Sequence, residues 1–322
     1  MMKFLTIKFM AVIALLGMTT VLTAEDKKMT FALVTHEIGS GFFAKHMRAA
    51  EEFEERYGVE VLFLAPEQWN VAEHVNILEN VLSRDIDGLA TTVVDPNAYR
   101  DVVDRALAKG IPVVSFNNDD PNGSARQAYI GQFDYAAGVT AAEELIKTMG
   151  GKDTAAGQKV LLFMCCPGFA ALEIRADGIE DTLKAAGVNV VGPIEYTADP
   201  SKVYGNVEAA FMANQDAKAM ISVDAFTSVM GTFVKNNNLL KSGQLSAAGG
   251  WDFLPKTVQH IEDGNLNFSI GSNAYITGYY ALTSLYLAAT NNIPPIDIDT
   301  GASLANSSNI KAIRAMTEGE LD

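Results

Sequence analysis

The sequence predicts an α/β protein of two lobes, each a doubly wound parallel β-sheet with helices on both faces. Short apolar, β-rich runs alternate with amphipathic segments at the spacing of βαβ units. These runs are nearly continuous in apolar residues, as expected for strands buried on both faces. The alternation begins again at Lys159, which indicates duplication of the whole unit. With 322 residues and 48% hydrophobic composition, the chain is long enough for two cores.

The first repeat contains the clearer alternation. Its predicted strands are Met29–Thr35, Val59–Ala65, Gly88–Val93, Ile111–Phe116 and Ala128–Gly131. Its predicted helices, each with apolar side chains on one face, are Phe42–Tyr57, Val71–Ser83 and Ala98–Lys109. Glycines at 58 and 110 follow two of these helices, as is common at helix ends.

The second repeat follows the same rhythm. Its predicted strands are Lys159–Cys165, Asn189–Tyr196, Ala217–Val223 and Leu245–Gly250, with a crossing strand at Asn267–Gly271. Its predicted helices are Ala170–Ala186, Val203–Asn214, Phe226–Asn236, Phe253–Asp263 and Tyr275–Thr290. Pro294 and Pro295 end the last helix, and the tail from Ile296 has too little amphipathic order to form a third domain.

The first 24 residues are typical of a signal peptide. Lys3 and Lys8 precede an apolar stretch, Phe9–Leu22, that ends in small residues. This stretch is shorter than the roughly 20 residues that span a bilayer, and no cysteine stands near the cleavage region to accept a lipid. We therefore expect a chain that does not span the membrane and is released into the periplasm of a Gram-negative cell.

The net charge disfavours several classes of ligand, and the two cysteines allow two interpretations. A net charge of −15 and a pI near 4.7 disfavour nucleic acid, anionic lipid and phosphorylated ligands. The two cysteines, Cys165 and Cys166, are adjacent and cannot join distant segments. The favoured interpretation is a pair of small buried side chains at a strand end, and the alternative is a vicinal disulfide formed in an oxidising compartment.

Enzyme and metal signatures are weak in this sequence. It has no nucleophile elbow, zinc-protease motif, phosphate loop or dinucleotide fingerprint, and its four histidines are scattered. We therefore predict no catalytic residue, no metal and no cofactor. The remaining enzyme hypothesis is a secreted hydrolase that uses the carboxylates Asp95, Asp224 and Asp252.

Two open α/β sheets place a ligand cleft where the carboxyl ends of their strands face each other. The candidate residues just past strand ends are His36, Ser40, Phe42, Phe43, Thr92, Asp95, Asn117, Asn118, Arg175, Asp224, Trp251, Asp252 and Asn273. Flat apolar faces beside amide, carboxylate and guanidinium groups suit a compact ring that carries several hydroxyls, because each hydroxyl both donates and accepts. The expected ligand is a small neutral carbohydrate or polyol.

The order and spacing of several motifs resemble the type I periplasmic binding proteins that deliver simple sugars to ABC transporters. The carriers of this resemblance are Phe31-Ala32-Leu33-Val34, Gly41-Phe42-Phe43, Gly110 to Asn117, Tyr129-Ile130-Gly131, Arg175-Ala176-Asp177-Gly178, Gly249-Gly250-Trp251-Asp252 and Gly278-Tyr279. The resemblance implies a first lobe of residues 27–131 plus 273–295 and a second lobe of 132–272 plus 296–322. It also implies three crossing segments, near Gly131, Gly271 and Pro294 to Asp297.

The resemblance assigns roles to individual positions. Phe42 and Phe43 correspond to aromatics that cover the sugar ring, and Arg175 and Asp252 to polar anchors. Asp224, Trp251 and Asn273 fall at or near binding positions, and His36, Ser40 and Thr92 at lining positions. Asn117 and Asn118 depart from the family, which usually has Asp and Arg there, so the identity of the sugar stays open.

Each candidate also has a purely structural interpretation. At least one of Phe42 and Phe43 is expected in the core, and Asp252 is a suitable cap for a helix that begins near Phe253. Arg175 could be a solvated helix charge paired with Asp177 or Glu173, the segment from Asn117 is a sound turn sequence, and His36 could be a structural hydrogen bonder.

The implied mechanism is hinge closure around one ligand, after which a membrane permease recognises the closed form. A sensor that engages a histidine kinase or chemoreceptor is the alternative from another class. A cyclitol, a furanosyl autoinducer and a nucleoside are alternative ligands, and a monomer is the default for this architecture.

Overall fold

The computed structural model describes residues 28–38, 42–120, 122–123, 126–196 and 199–318. The predicted signal peptide and the candidate Ser40 lie outside these residues. None of the helices in the described ranges is long and apolar enough to cross a bilayer.

The first lobe is built on a six-stranded parallel sheet. Its strands are β1 (Thr30–Val34), β2 (Glu60–Leu64), β3 (Gly88–Thr91), β4 (Val113–Phe116), β5 (Ala128–Gly131) and β11 (Ile298–Asp299). They lie in the order β11-β5-β4-β3-β1-β2. Phe31 and Leu33 of β1 enter one core cluster, whereas Ala32 and Val34 enter another. Since alternate strand residues point to opposite faces, the sheet has a core on each side.

The second lobe has a matching six-stranded sheet, which confirms the predicted duplication of the α/β unit. Its strands are β6 (Lys159–Cys165), β7 (Asn189–Tyr196), β8 (Ala219–Ser222), β9 (Ala247–Trp251), β10 (Phe268–Gly271) and β12 (Ser303–Asn306). Their order is β12-β10-β9-β8-β6-β7, and only the edge strand β12 pairs antiparallel to its neighbour within this described sheet.

Helices lie between the strands along the chain, and one helix follows the last strand. They are α1 (Ala44–Tyr57), α2 (Val71–Leu82), α3 (Pro96–Ala108), α4 (Asp134–Thr148), α5 (Lys152–Ala155), α6 (Ala170–Ala185), α7 (Pro200–Met212), α8 (Thr227–Asn236), α9 (Pro255–Glu262), α10 (Ala274–Asn291) and α11 (Ile310–Glu318). Helix α3 begins two residues earlier than predicted because Asp95 accepts hydrogen bonds from the backbone N–H groups of Asn97 and Ala98 and Pro96 opens the first turn.

Helix α4 was not predicted from the sequence. Its buried positions are mostly small, including Ala137, Gly138, Ala141 and Ala142. A face of Ala and Gly gives little contrast in hydrophobicity, so the helical period is hard to detect. These small residues let α4 pack closely against α6 of the same lobe.

The third crossing between the lobes lies later in the chain than predicted. Residues 298–299 still pair with Ile130 and Gly131 of β5 in the first sheet, and the Thr300 N–H donates to the Gly131 carbonyl at 2.8 Å. The predicted crossing at Pro294 to Asp297, and the assignment of residues 296–299 to the second lobe, are therefore wrong, whereas residues 303–306 pair with β10 of the second sheet. The crossings of the described chain lie at 132–133, 272–273 and 300–302, because each of these segments joins a strand end of one lobe to an element of the other.

Candidate functional site

The two lobes meet where the first strands of their sheets end. His36 follows β1 and Phe169 follows β6, and their ring centroids lie 6.0 Å apart. Trp69 follows β2, and its ring packs edge-to-face against Phe169 with a centroid distance of 5.8 Å. The carboxyl ends of both sheets therefore face one cleft, and the lobes touch across it.

An aromatic wall lines the first-lobe side of the cleft. The rings of Phe42 and His36 both pack edge-to-face against Phe43, each with a centroid distance of 5.0 Å. Phe43 is only 1% exposed, which confirms that one member of the pair is core, whereas Phe42 is half-buried. Nδ1 of His36 lies 3.2 Å from the hydroxyl of buried Thr92. Burial, with His74 and His46 nearby, lowers the pKa of His36 to about 3, so this imidazole is neutral at pH 7.

The neutral pair Asn117-Asn118 follows β4. Asn117 has a left-handed backbone, with φ of 61°, and its side-chain N–H donates to the side-chain oxygen of Asn118 at 2.7 Å. The hydroxyl of Tyr129 donates to the Asn117 carbonyl at 3.1 Å. One bond between two amides leaves further amide donors and acceptors, which suits recognition of hydroxyl groups.

Arg175 lies on α6 and is 8% exposed, so the interpretation as a solvated helix charge is wrong. Its Nε donates to the Asp134 carboxylate at 2.7 Å, and Nη1 donates to the Val223 carbonyl at 3.1 Å. The guanidinium stacks over Trp251, 5.1 Å from the ring centroid. Burial by itself would lower the pKa of Arg175, but Asp134 and Asp252 raise it above its ordinary value. The guanidinium is thus a fixed, buried cation.

Asp252 is a buried carboxylate in an unusual backbone position. It is 8% exposed, and its φ of 64° turns the chain after β9. Helix α9 begins at Pro255 with Leu254 at the cap position, so the prediction that Asp252 caps this helix is wrong. Among the described residues, no donor forms a hydrogen bond to its side chain. Burial raises the pKa of Asp252 to about 6, although Arg175 opposes the shift.

Asp224 differs because donors of its own lobe occupy its carboxylate. It accepts from the Cys165 N–H at 2.7 Å, from the Tyr196 hydroxyl at 2.9 Å and from the Phe226 N–H at 2.9 Å. Its burial is therefore explained without a ligand. Beside it, Cys165 and Cys166 form a vicinal disulfide, which was the alternative interpretation, and Cys165 is also buried at the end of its strand, as the favoured one expected.

The remaining predicted residues lie at the base of the cleft or outside it. Asn273 donates to the Thr300 carbonyl at 2.6 Å and accepts from the Ser303 hydroxyl at 2.7 Å, so its amide holds the third crossing. Trp251 is fully buried, and its indole N–H donates to Gln132 at 3.0 Å. The carboxylate of Asp95 caps α3, which removes it from the hydrolase hypothesis.

Four residues of the candidate site were not predicted from the sequence: Trp69, Phe169, Gln132 and Asp134. A signal existed for Phe169, because it occupies the cap position of the helix after the first strand of its repeat, as Phe43 does in the other repeat. Trp69 directly precedes Asn70, the cap of α2, just past a strand end. Gln132 and Asp134 follow β5, in a segment to which no element was assigned. In the part of the chain that the structure describes, no group of His, Cys, Asp and Glu side chains could hold a metal ion.

The family match and the similar proteins of known function indicate the same family. Residues 31–293 match the family described as periplasmic binding protein domain. The xylose/arabinose-binding protein XylF of Sulfolobus acidocaldarius is 32% identical over 251 residues, which cover 74% of this chain and 61% of that relative. The D-allose-binding periplasmic protein of Escherichia coli is 22% identical over 251 residues, covering 76% of this chain and 79% of the relative. The chain thus spans less than two thirds of the length of XylF.

Solved structures agree with this result. A solute-binding protein of an ABC transporter from Burkholderia graminis, in complex with D-arabinose, is 26% identical with a TM-score of 0.78, over 89% of this chain and 99% of that one. GanP, a glucose-galactose binding protein from Geobacillus stearothermophilus, has the same fold, with a TM-score of 0.77 at 21% identity, over 88% of this chain and 99% of that one. These relatives are named as binding proteins, not as enzymes. The chain belongs to the periplasmic binding protein family and has its type I fold of two α/β lobes.

Proposed function

We propose that this protein is the periplasmic solute-binding component of an ABC transporter and captures a small neutral sugar or polyol for delivery to a membrane permease. The observation that carries the proposal is the carboxylate of Asp252, which directly follows the carboxyl end of β9, belongs to a residue only 8% exposed and accepts no hydrogen bond from the described chain. A buried charge without donors is costly, so a ligand that donates hydrogen bonds to it would be strongly favoured.

The charge balance of the cleft favours a neutral ligand. Arg175 lies close enough to Asp252 for each charge to stabilise the other. A cationic ligand would face the Arg175 guanidinium, and an anionic one would face Asp252. Hydroxyl groups can donate to the carboxylate and also accept from the amide N–H groups of Asn117 and Asn118. A ring with several hydroxyl groups can therefore form hydrogen bonds with the Asp252 carboxylate and with both amides.

The aromatic wall adds the apolar half of this recognition. Phe42 is half-buried beside the fully packed Phe43 and offers a ring surface to the C–H face of a sugar. The names of the relatives and neighbours support pentoses, hexoses and a cyclitol as ligand classes, since they mention xylose and arabinose, allose, D-arabinose and myo-inositol.

Hinge closure would couple binding to delivery. The lobes touch through Phe169, and ligand bound between them would satisfy polar groups of both at once, which stabilises the closed form. A permease can then distinguish a closed from an open protein by the relative placement of its two lobes. A signal peptide over residues 1–24 and residence in a Gram-negative periplasm are part of this proposal.

Thermal unfolding and calorimetric titration of the mature protein test the proposal against neutral sugars, polyols, cyclitols and nucleosides. A sugar present at 100 times its Kd should add about 2.7 kcal/mol to the free energy of unfolding and raise Tm by several degrees. The Asp252→Asn variant should bind that sugar about 10- to 100-fold more weakly, since a hydrogen bond to a charged group is lost.

Asp101→Asn is the matched control, because Asp101 is an exposed carboxylate on α3. It should bind with the affinity of the unmodified protein. If only nucleosides, or no compound in the panel, shift the unfolding transition, the assignment of a neutral carbohydrate is wrong. If Asp252→Asn binds as tightly as Asp101→Asn, the buried carboxylate does not carry recognition.

A further inference from the structure

Gln132 lies in the first crossing, between β5 and α4, and is 3% exposed. Its side-chain N–H₂ donates to the Gly271 carbonyl at 3.2 Å and to the Gly301 carbonyl at 3.1 Å. Its side-chain oxygen accepts the indole N–H of Trp251 at 3.0 Å. Gly271 ends β10, Trp251 ends β9 and Gly301 lies in the third crossing, so one amide connects the first crossing to the third crossing and to two strand ends of the second sheet.

The backbone of Gln132 is bonded to the first lobe instead. The hydroxyl of Tyr129, in β5, lies 3.0 Å from the Gln132 carbonyl and 3.1 Å from the Asn117 carbonyl, so its single proton is shared between two acceptors. Gly131 makes this arrangement possible, because a Cβ at that position would collide with the Tyr129 hydroxyl. Burial is the main reason that the pKa of Tyr129 lies well above its ordinary value, so the hydroxyl keeps its proton.

These bonds join the two halves of the candidate site through the hinge. One end of the connection is the backbone of Asn117, in the first lobe. The other end is Trp251, which supports the Arg175 guanidinium in the second lobe. A rotation of one lobe against the other changes backbone torsions at the crossings, and Gln132 is held by its backbone on one side and by its side chain on the other.

We propose that Tyr129 and Gln132 form an interlobe latch whose hydrogen bonds belong to the closed arrangement and set the balance between closed and open forms. Both are positioning residues that act through the placement of the lobes. The effect on ligand affinity rests on the proposed function, whereas the balance of the lobes can be measured without any ligand.

The test uses Gln132→Met, which keeps the length of the side chain but removes the amide, and Tyr129→Phe, which removes only the hydroxyl. Small-angle X-ray scattering of the ligand-free protein should show a larger radius of gyration for each variant. For the sugar that binds the unmodified protein, Kd should rise by about 2- to 10-fold per variant, mainly through faster dissociation. The double variant should be less than additive, because both residues hold the same crossing.

Gln127→Met is the matched control. The Gln127 side chain accepts the Val113 N–H at 2.9 Å within the first lobe, so its loss should affect stability but neither scattering nor dissociation. If Tm falls in the Gln132 and Tyr129 variants while scattering and dissociation rate match those of Gln127→Met, the latch is refuted and Gln132 is a packing residue. Tyr129→Phe, the milder change, decides the matter if Gln132→Met does not fold. If no sugar binds the unmodified protein, the proposed function fails, and the scattering comparison still confirms or refutes the latch.

Discussion

At the scale of single residues, Asp252 combines a cost to stability with a candidate function. Its left-handed backbone is one that Asn adopts more readily than most residues. Its carboxylate is buried without a donor from the described chain, so ionisation is unfavourable and the pKa rises to about 6. A group of this kind is common where a protein gives up stability to keep a site ready for its ligand.

The pH dependence of stability should reveal Asp252. Because its pKa is higher in the folded than in the unfolded chain, its contribution is most favourable below the ordinary carboxyl pKa of 3.8 and is lost as pH rises through about 6. We expect Asp252→Asn to increase the free energy of unfolding at pH 7.5 by roughly 1–3 kcal/mol. The fall in the free energy of unfolding between pH 3.8 and about pH 6 should also be smaller in this variant than in the unmodified protein. Urea unfolding over a pH series measures this, with Asp101→Asn as control. If the free energy of unfolding of Asp252→Asn falls as steeply with pH as that of the unmodified protein, Asp252 is not a buried carboxyl that ionises near pH 6.

At the scale of secondary-structure elements, the pairing of α4 with α6 places Arg175. Each helix presents a glycine to the backbone of the other: a Cβ on Gly138 would overlap the Arg175 carbonyl, and one on Gly178 would overlap the Tyr135 carbonyl. This close approach brings Asp134, at the start of α4, within hydrogen-bonding distance of the Arg175 guanidinium. The buried ion pair therefore depends on two glycines that are far apart in sequence.

Alanine substitutions at these glycines test the contact between the helices. Gly178→Ala should lower the free energy of unfolding by about 1–3 kcal/mol, because the obstructing atom is backbone and the helices must separate. Gly205→Ala on α7 is the control, since a Cβ there has open space. It should raise stability by about 0.5–1 kcal/mol through helix propensity. Thermal and denaturant unfolding distinguish the two, and equal effects at both positions would argue against the close packing.

At the scale of the whole molecule, aromatic side chains form one contact between the lobes across the cleft. Phe169 of the second lobe contacts both His36 and Trp69 of the first lobe. Trp69 is 46% exposed, whereas Trp251, the other tryptophan of the chain, is fully buried. Opening of the lobes therefore changes the surroundings of Trp69 far more than it changes the surroundings of Trp251, whose ring is fully packed.

Tryptophan fluorescence should accordingly report closure. Addition of the bound sugar should shift the emission to shorter wavelength, because closure moves Trp69 against Phe169 and away from water. The shift should disappear in Trp69→Phe and shrink in Phe169→Ala, and the latter should also bind a few-fold more weakly through loss of the aromatic contacts. Persistence of the full shift in Trp69→Phe would show that the signal comes from Trp251 and that the lobes do not close at this contact.

The repeated α/β architecture, and the edge of the sheets at which the candidate site lies, could be predicted from the sequence alone. Strands such as Lys159–Cys165 and Asn189–Tyr196 have the predicted bounds, because a buried strand is recognisable from its own apolar run. Asp252 and Arg175 could be selected for the same reason, since position after a strand end or at the start of a helix is a local property.

The groups that these side chains contact could not be predicted, because they depend on the tertiary structure. Asp224 and Asn273 have the same local signature as Asp252, yet donors and acceptors of their own chain occupy them. Helix α4 and the true third crossing are likewise fixed by partners elsewhere: α6 for the helix, and β5 for residues 298–299. Gln132 joins Trp251 across 119 residues of sequence. Local patterns specify which segments become strands and helices, whereas the partners of a polar group depend on contacts between residues distant in the chain, which no local pattern contains.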